Sequence, residues 1–403
     1  MRILMLAHRI PYPPHTGDKV RAYRVARYLA ERHDLTLGFV VDDPADREGL
    51  PVLAREIGDL EYAFTWKPWA SIKSLAALAT PAPLSLAYFG SSRLRRQVAR
   101  RLGDGAYDLI YLSSSPTAQY VEGLTETPVV MDFVDVDSDK WTQYASRMRG
   151  PLAWVHRSEG RRLRRYEARI AQWSRLCVVT TAAEEALLRS FAPWARTAVV
   201  ANGVDLEEYV PAAHPCLDPT MIFTGAMDYF PNVDAVEHFC QEIYPQVRAA
   251  VPAARFLIVG LNPAPAVRRL AGLPGVTVTG SVPDVRPYYG ESSICVAPLR
   301  LARGVQNKVL QAMAMGLPVV ATPAATQGLG ARPGEELLVE GSPAGFARRV
   351  IELLRDPVGR AALGARGRAF VEGHHSWRAS LARLHDMIED VAAAHPAARR
   401  SPA

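Results

Sequence analysis

Cysteine is scarce in this chain. Four residues, Cys177, Cys216, Cys240 and Cys295, are scattered through 403 positions with no close pair. That spacing supports neither a disulfide framework nor a thiolate metal site, and it reads as single buried thiols in a reducing compartment. Long apolar runs are also missing: none reaches the roughly 20 residues that a membrane-crossing helix requires. A signal peptide is not evident, because Arg2-Ile3-Leu4-Met5-Leu6-Ala7 enters a strand at once. A cytoplasmic protein is the expectation. The loop after that strand lacks the three-glycine spacing of a dinucleotide fingerprint. No recognised nucleic-acid module accompanies the positive charge, so nucleic acid is not an expected partner.

What is present describes a globular protein. Hydrophobic residues make up 49% of the chain, charged residues 22%, and the formal charge of +6 is mostly an excess of arginine. Genome composition alone could set that arginine content, so it says little about partners. A chain of 403 residues is too long for one ordinary core and implies two domains. The expected boundaries are 1–204 for a first α/β domain, 205–219 for a linker rich in proline and acid, 220–374 for a second, and 375–403 for a C-terminal helix. In the first part, strands are expected at Arg2–Ala7, Leu35–Val41, Asp108–Leu112, Pro128–Phe133, Leu176–Thr180 and Ala198–Val200, with helices between. The second part repeats the alternation at Thr220–Thr224, Arg255–Val259, Val276–Thr279, Ile294–Ala297, Pro318–Ala321 and Leu337–Val339. Strand–helix alternation over this length means parallel sheets covered on both faces, with the cleft between two Rossmann-like halves as the default ligand site.

The stretch Arg303–Thr322 concentrates the chemistry. It reads as a glycine turn at Gly304, an amphipathic helix with Val309, Leu310 and Met313 on its buried face, a Gly316-Leu317-Pro318 stop, and a β-branched strand. Lys308 falls about one turn into the helix. Helix starts offer unpaired N–H groups and a positive dipole end, so Gly304 to Lys308 is a candidate phosphate seat. The alternative is an ordinary crossover helix whose lysine faces solvent.

Two basic segments interrupt the first part. One is Arg93 to Arg101; the other is a helix from about His156 to Trp173, with six arginines and an apolar stripe of Leu163, Tyr166, Ile170 and Trp173. Trp66, Lys67, Trp69 and Lys73 form an aromatic-basic patch. These segments fit either an anionic membrane surface or a helix docked on its own domain with a solvated basic face.

Several motifs, in order and spacing, resemble glycosyltransferase family 4, whose members have the two-domain GT-B fold. They are Asn202-Gly203-Val204-Asp205, Phe223-Thr224-Gly225-Ala226-Met227-Asp228 with Pro231-Asn232, Gly280-Ser281-Val282-Pro283-Asp284-Val285, Val296-Ala297-Pro298, and Lys308 through Val320. More narrowly, Pro11-Tyr12-Pro13-Pro14 with Gly17-Asp18-Lys19, and Asp132 through Trp141, resemble the sugar transferases of exopolysaccharide systems associated with PEP-CTERM protein sorting. The resemblance implies a retaining, metal-independent transfer, without cofactor, from a UDP- or GDP-sugar to a lipid-linked or glycan acceptor. The first domain is then the acceptor side, and the C-terminal helix packs back on it. Lys308 and Arg303 become the cations beside the leaving diphosphate. Gly304, Val305, Gln306, Asn307 and Gln311 join Gly17, Gly225, Val282 and Pro283 in holding the donor. Asp135 and Asp137 are the nearest polar candidates to face an acceptor hydroxyl, or else they form a helix cap or solvated turn. His8 and His15 read as loop hydrogen-bonders.

The pattern also departs from the family. Its usual pair of glutamates falls on Arg303 and Gln311, and an amide in place of the ribose-binding carboxylate forfeits a charge-assisted pair, about 1–2 kcal/mol. The family's usual phosphate cations in the loop after the second domain's first strand fall on Ala226 and Pro231. Two other readings stay open: a nucleotide-sugar 2-epimerase of the same architecture, and a weakly catalytic nucleotide-sugar-binding partner.

Overall fold

The computed structural model describes residues 1–394 other than His15, Gly105, Ala106, Pro215 and Arg303. Two compact units result: one combines Met1–Val200 with the residues from Leu381 onward, and the other is Ala201–Ser380.

The first unit is built on a seven-stranded sheet, with strands β1 (Arg2–Ala7), β2 (Asp34–Val41), β3 (Asp59–Phe64), β4 (Leu109–Ser113), β5 (Val129–Val134), β6 (Leu176–Val179) and β7 (Thr197–Val199). They lie side by side in the order β3-β2-β1-β4-β5-β6-β7. The second unit has six: β8 (Thr220–Thr224), β9 (Arg255–Val259), β10 (Val276–Gly280), β11 (Ile294–Ala297), β12 (Val319–Ala321) and β13 (Leu338–Val339), ordered β10-β9-β8-β11-β12-β13. Every pairing among the described strands is parallel, as with Met5 set between Leu37 and Tyr111. The reason lies in the strand sequences. Ile3 to Leu6 and Met221 to Phe223 are fully buried, apolar runs rather than alternations, which suits sheets covered on both faces. In each unit the chain enters at a central strand, moves outward to one edge, and restarts beside it. The order therefore reverses between β1 and β4, and again between β8 and β11. Loops at the carboxyl ends of those strand pairs form the crevices where such sheets bind ligands.

The two-sheet α/β class expected from the strand–helix alternation is the one observed. β3 was not anticipated, because Asp59 and Glu61 interrupt its apolar pattern. Arg101 resolves this: its Nε donates to Glu61 at 2.7 Å and its Nη2 to Asp59 at 2.9 Å. Part of the arginine-rich segment is thus spent neutralising an edge strand of its own sheet. The long basic helix begins earlier than expected, at Pro151, and runs to Trp173. Its Leu163, Tyr166 and Ile170 are buried in the first unit's core, so this stripe is closed to a membrane. Of the four cysteines, Cys177, Cys240 and Cys295 are buried as expected, whereas Cys216 is half-buried, its thiol 3.2 Å from Glu291 O.

A buried ion pair ties the first unit together. Arg21, on the helix Gly17–Ala30, donates to Asp132 on β5 at 2.7 Å and to Val200 O at 2.9 Å, and Tyr111 on β4 donates to the same carboxylate at 2.5 Å. Both charges are about 1% exposed, a burial tolerated only when the charges are paired and hydrogen-bonded.

Candidate functional site

The second unit's strand reversal, between β8 and β11, assembles the densest polar cluster around the sequence-expected residues. β8 ends at Thr224, and the chain turns through Gly225 and Ala226 before the helix Phe230–His238. Gly225 takes φ 156° and Gly260, at the end of neighbouring β9, takes φ 153°. A Cβ on residue 260 would stand 1.7 Å from Gly225 O, so glycine is obligatory where these loops cross. Asn232 holds the turn from below, its Nδ2 donating to Ala226 O at 2.9 Å.

Lys308 reaches the same place from the other side of the reversal. It is the second residue of the helix Asn307–Ala314, which follows β11. Its Nζ donates to Asn232 Oδ1 at 2.6 Å and lies 4.5 Å from the Phe223 ring centroid. Only 8% of the residue is exposed. Burial lowers the amine from its ordinary 10.5 to about 7, so at neutral pH it is poised between ammonium and amine. The solvent-facing lysine of the alternative reading is not what is found, and Lys308 stands second in the helix rather than a full turn in, its side chain turned inward under the Gly225 turn.

The helix start above Lys308 is equally unusual. Gly304 bends the chain with φ 60°, and Gln306 sits at the N-cap without a side-chain capping bond. Asn307 Oδ1 is buried with no hydrogen-bond partner. Val305 is buried against the core. An uncapped helix end over a buried amine is an anion seat in the sense of unpaired N–H groups and a favourable dipole. Arg303, the second expected cation, lies outside the described residues. One turn on, Gln311 Nε2 donates to Tyr209 OH at 2.9 Å, while Tyr289 OH lies 3.4 Å from Gln311 Oε1 and 2.7 Å from Thr224 Oγ1. Two tyrosines therefore hold the Gln311 amide, one at each of its polar atoms. Val282 is half-buried and Pro283 exposed in the loop after β10.

In the first unit the expected residues take less specialised places. Gly17 opens the helix Gly17–Ala30 and is exposed. His8 bonds Asp18 at 3.1 Å, the loop role expected for it, and Asp18 is held well below the usual carboxylate range by that bond and by Arg9 despite its burial. Asp135 accepts from Thr180 Oγ1 at 2.9 Å, and Asp137 is the first residue of the helix Asp137–Arg147, half-exposed. Glu167 lies behind them. It accepts from Ser138 N at 3.1 Å, its Oε2 is buried without a partner, and burial pushes its carboxyl up to about 8.

Sequence reasoning missed Asn232 as the lysine's partner and both tyrosines. Pro231-Asn232 was within a recognised motif, but only the fold shows which way the amide points; Tyr209 and Tyr289 carried no signal.

The paired parallel sheets and this glycine–lysine crossing define a protein of the GT-B fold. Solved structures with that architecture superpose on nearly the whole chain. Sucrose-phosphate synthase of Thermosynechococcus elongatus matches with TM-score 0.73 at 18% identity, over 98% of this chain and all of that one. Anabaena HepE, crystallised with UDP and glucose, matches with TM-score 0.71 at 14% identity, over 97% and 100%. Residues 218–356, within the second unit, match the family model described as glycosyl transferases group 1. A GDP-mannose-dependent monoacylated alpha-(1-6)-phosphatidylinositol monomannoside mannosyltransferase of Corynebacterium glutamicum is 32% identical over 208 residues, 47% of this chain. The match spans 55% of that relative's length.

If Lys308 is held uncharged-leaning by function rather than for stability, removing it should stabilise the fold and disable the site. A fall from 10.5 to about 7 corresponds to roughly 4–5 kcal/mol against the charged form. The unfolded amine binds its proton more tightly than the folded one, so this cost is complete below pH 7 and fades as pH rises from 7 to 10.5. Lys308→Met is expected to unfold at least as high in denaturant as wild type at pH 7, with the difference shrinking toward pH 10, while turnover falls at least tenfold. Denaturant melts across pH, paired with initial rates, check both halves; wild-type rates in the variant would remove Lys308 from the site.

Proposed function

We propose that this chain is a retaining glycosyltransferase. It moves a sugar from a UDP- or GDP-sugar to a lipid-linked or polysaccharide acceptor in exopolysaccharide and cell-envelope assembly, within systems of the kind associated with PEP-CTERM protein sorting. The observation that carries this reading is the Lys308 amine, buried under the Gly225 turn at an uncapped helix start and at the strand reversal. The match of residues 218–356 to group 1 glycosyl transferases supports it. So does the corynebacterial relative, whose name gives a GDP-mannose donor and a phosphatidylinositol-based acceptor. HepE, crystallised with UDP and glucose, supports a nucleotide-sugar donor more generally.

Chemically, the difficult part is departure of the nucleoside diphosphate. Negative charge grows on the leaving phosphate, and fixed donors in a low-dielectric site stabilise it without reorganising. In the proposed site the helix N–H groups from Val305 to Asn307 face that charge. Lys308 takes up a proton as the anion arrives, because a neighbouring negative charge favours the ammonium. Arg303 is the proposed second cation, and no metal takes part. A donor phosphate oxygen assists deprotonation of the acceptor, with Asp135 and Asp137 facing its hydroxyl. Gly17, Gly225, Val282 and Pro283 let backbone lie close to the donor.

The acceptor class suggests work at the cytoplasmic face of a membrane as a peripheral protein. Among the described residues no helix is long and apolar enough to cross one. The surface proposed to rest on anionic lipid is not the buried stripe of the basic helix. It comprises Trp66, Trp69 and Ile72 beside Lys73, and Leu152 and Trp154 at the start of that helix, each more than half exposed apart from Lys73.

One observation favours the second reading, a weakly catalytic nucleotide-sugar-binding partner: Gln311 is already engaged by Tyr209 and Tyr289. Incubation with a panel of radiolabelled UDP- and GDP-sugars separates the readings, with GDP-mannose first. Transfer or slow donor hydrolysis is expected; inversion at C2 would identify an epimerase, and saturable binding without turnover the partner. Gln311→Glu gives both tyrosines a carboxylate to hold and is expected to tighten donor binding about tenfold. Calorimetric titration with donor measures this, and an unchanged Kd would move the ribose elsewhere.

A further inference from the structure

The geometry points to a divalent transition-metal site, suited to zinc, formed by His33, His385 and Glu389 and binding the C-terminal helix to the first sheet. The site lies within the first unit and is independent of the transfer reaction. His33 ends the turn between the helix Gly17–Ala30 and β2, and its N–H bonds back to Leu29 O at 2.8 Å. His385 and Glu389 are four apart on the helix Trp377–Ala393, so they share one face and point at the same space.

The donor atoms already converge. The two Nε2 atoms are 2.9 Å apart, Glu389 Oε1 is 3.6 Å from His385 Nε2, and one donor atom from each residue lies within 4.8 Å of the others. Zinc takes imidazole nitrogens and carboxylate oxygens at about 2.0–2.2 Å, which places neighbouring tetrahedral donors roughly 3.3–3.5 Å apart. A slight parting of the rings and a small approach by the exposed Glu389 reach that spacing. Two imidazoles and one carboxylate leave the fourth position to water, and nitrogen donors favour zinc over magnesium or calcium.

The surroundings suit a ligand set. The rings lie nearly parallel and meet at their nitrogen edges, centroids 5.0 Å apart and planes 16° from each other, and Tyr28 packs edge-on against His385, which limits ring rotation. Asp386 lies 4.0 Å from His385 Nδ1, on the other side of the ring from the converging nitrogens. Without an ion, two imidazoles share a single hydrogen bond between Nε2 atoms. With one, the same atoms clamp the helix to the strand-entry turn.

The test is calorimetric titration of zinc chloride into the tag-free, chelator-treated full chain, with thermal melts alongside. One ion per chain and a higher Tm with zinc are expected. His33→Gln and His385→Gln should each weaken binding at least tenfold and abolish the Tm rise. Glu389→Gln, at an exposed position that leaves packing intact, should weaken binding severalfold. Cobalt substitution should give visible ligand-field bands without a thiolate charge-transfer band. No zinc uptake by the wild-type chain, uptake unchanged in a His33→Gln/His385→Gln double variant, or a thiolate band implicating Cys216 would each overturn the site.

Discussion

A lysine amine withheld from water is the constraint on which the second unit's arrangement depends. Lys308 can be buried only because Asn232 accepts from it and the Phe223 face lies against it. Asn232 is in position only because Gly225 and Gly260 let two loops cross without side chains. Gly225 and Gly260 follow the carboxyl ends of β8 and β9, and Asn232 and Lys308 lie in the first turns of the helices beyond β8 and β11. The free energy spent on burying the amine stabilises nothing in the fold itself. In the proposed function an arriving diphosphate recovers that cost by drawing the amine back to its charged form.

The first unit handles charge differently. Arg21 and Asp132 are both buried and paired with each other, and Tyr111 donates to the same carboxylate. Glu167 and Glu184 supply their carboxylates to the backbone at Ser138 and Val136, ahead of a helix whose own N-cap, Val136, has no capping side chain. Arginines that looked like a partner-binding surface in the sequence prove to serve internal partners as well: Arg101 on β3, Arg162 on the carbonyls of Ala77 and Leu78. Net positive charge is therefore a poor guide to what this unit binds.

Much of the architecture was legible in the sequence because parallel strands announce themselves as short apolar runs. Both sheets, the helix over Trp377–Ala393 and the stop at Gly316–Pro318 follow from period and turn chemistry alone. β3 escaped because its acids are neutralised by a residue 40 positions away. Of the candidate site, the glycine turn at Gly304 and the helix after it were legible, since glycine and helical period have local signatures. The inward turn of Lys308, the Asn232 bond and the tyrosines around Gln311 depend on which side chains converge across the sheet. Spacing along the chain holds no trace of that convergence. The same is true of His33 and His385, which are 352 positions apart.

We propose that Lys308 is a poised cation whose protonation a bound nucleoside diphosphate completes. Direct titration of the Lys308 amine by NMR, in lysine-labelled protein with and without UDP or GDP, tests it most closely. A pKa near 7 is expected in the free protein, as burial sets it, with a rise of at least one unit when the diphosphate binds. A free-protein value near the ordinary 10.5, or a value indifferent to either nucleotide at saturation, would contradict it.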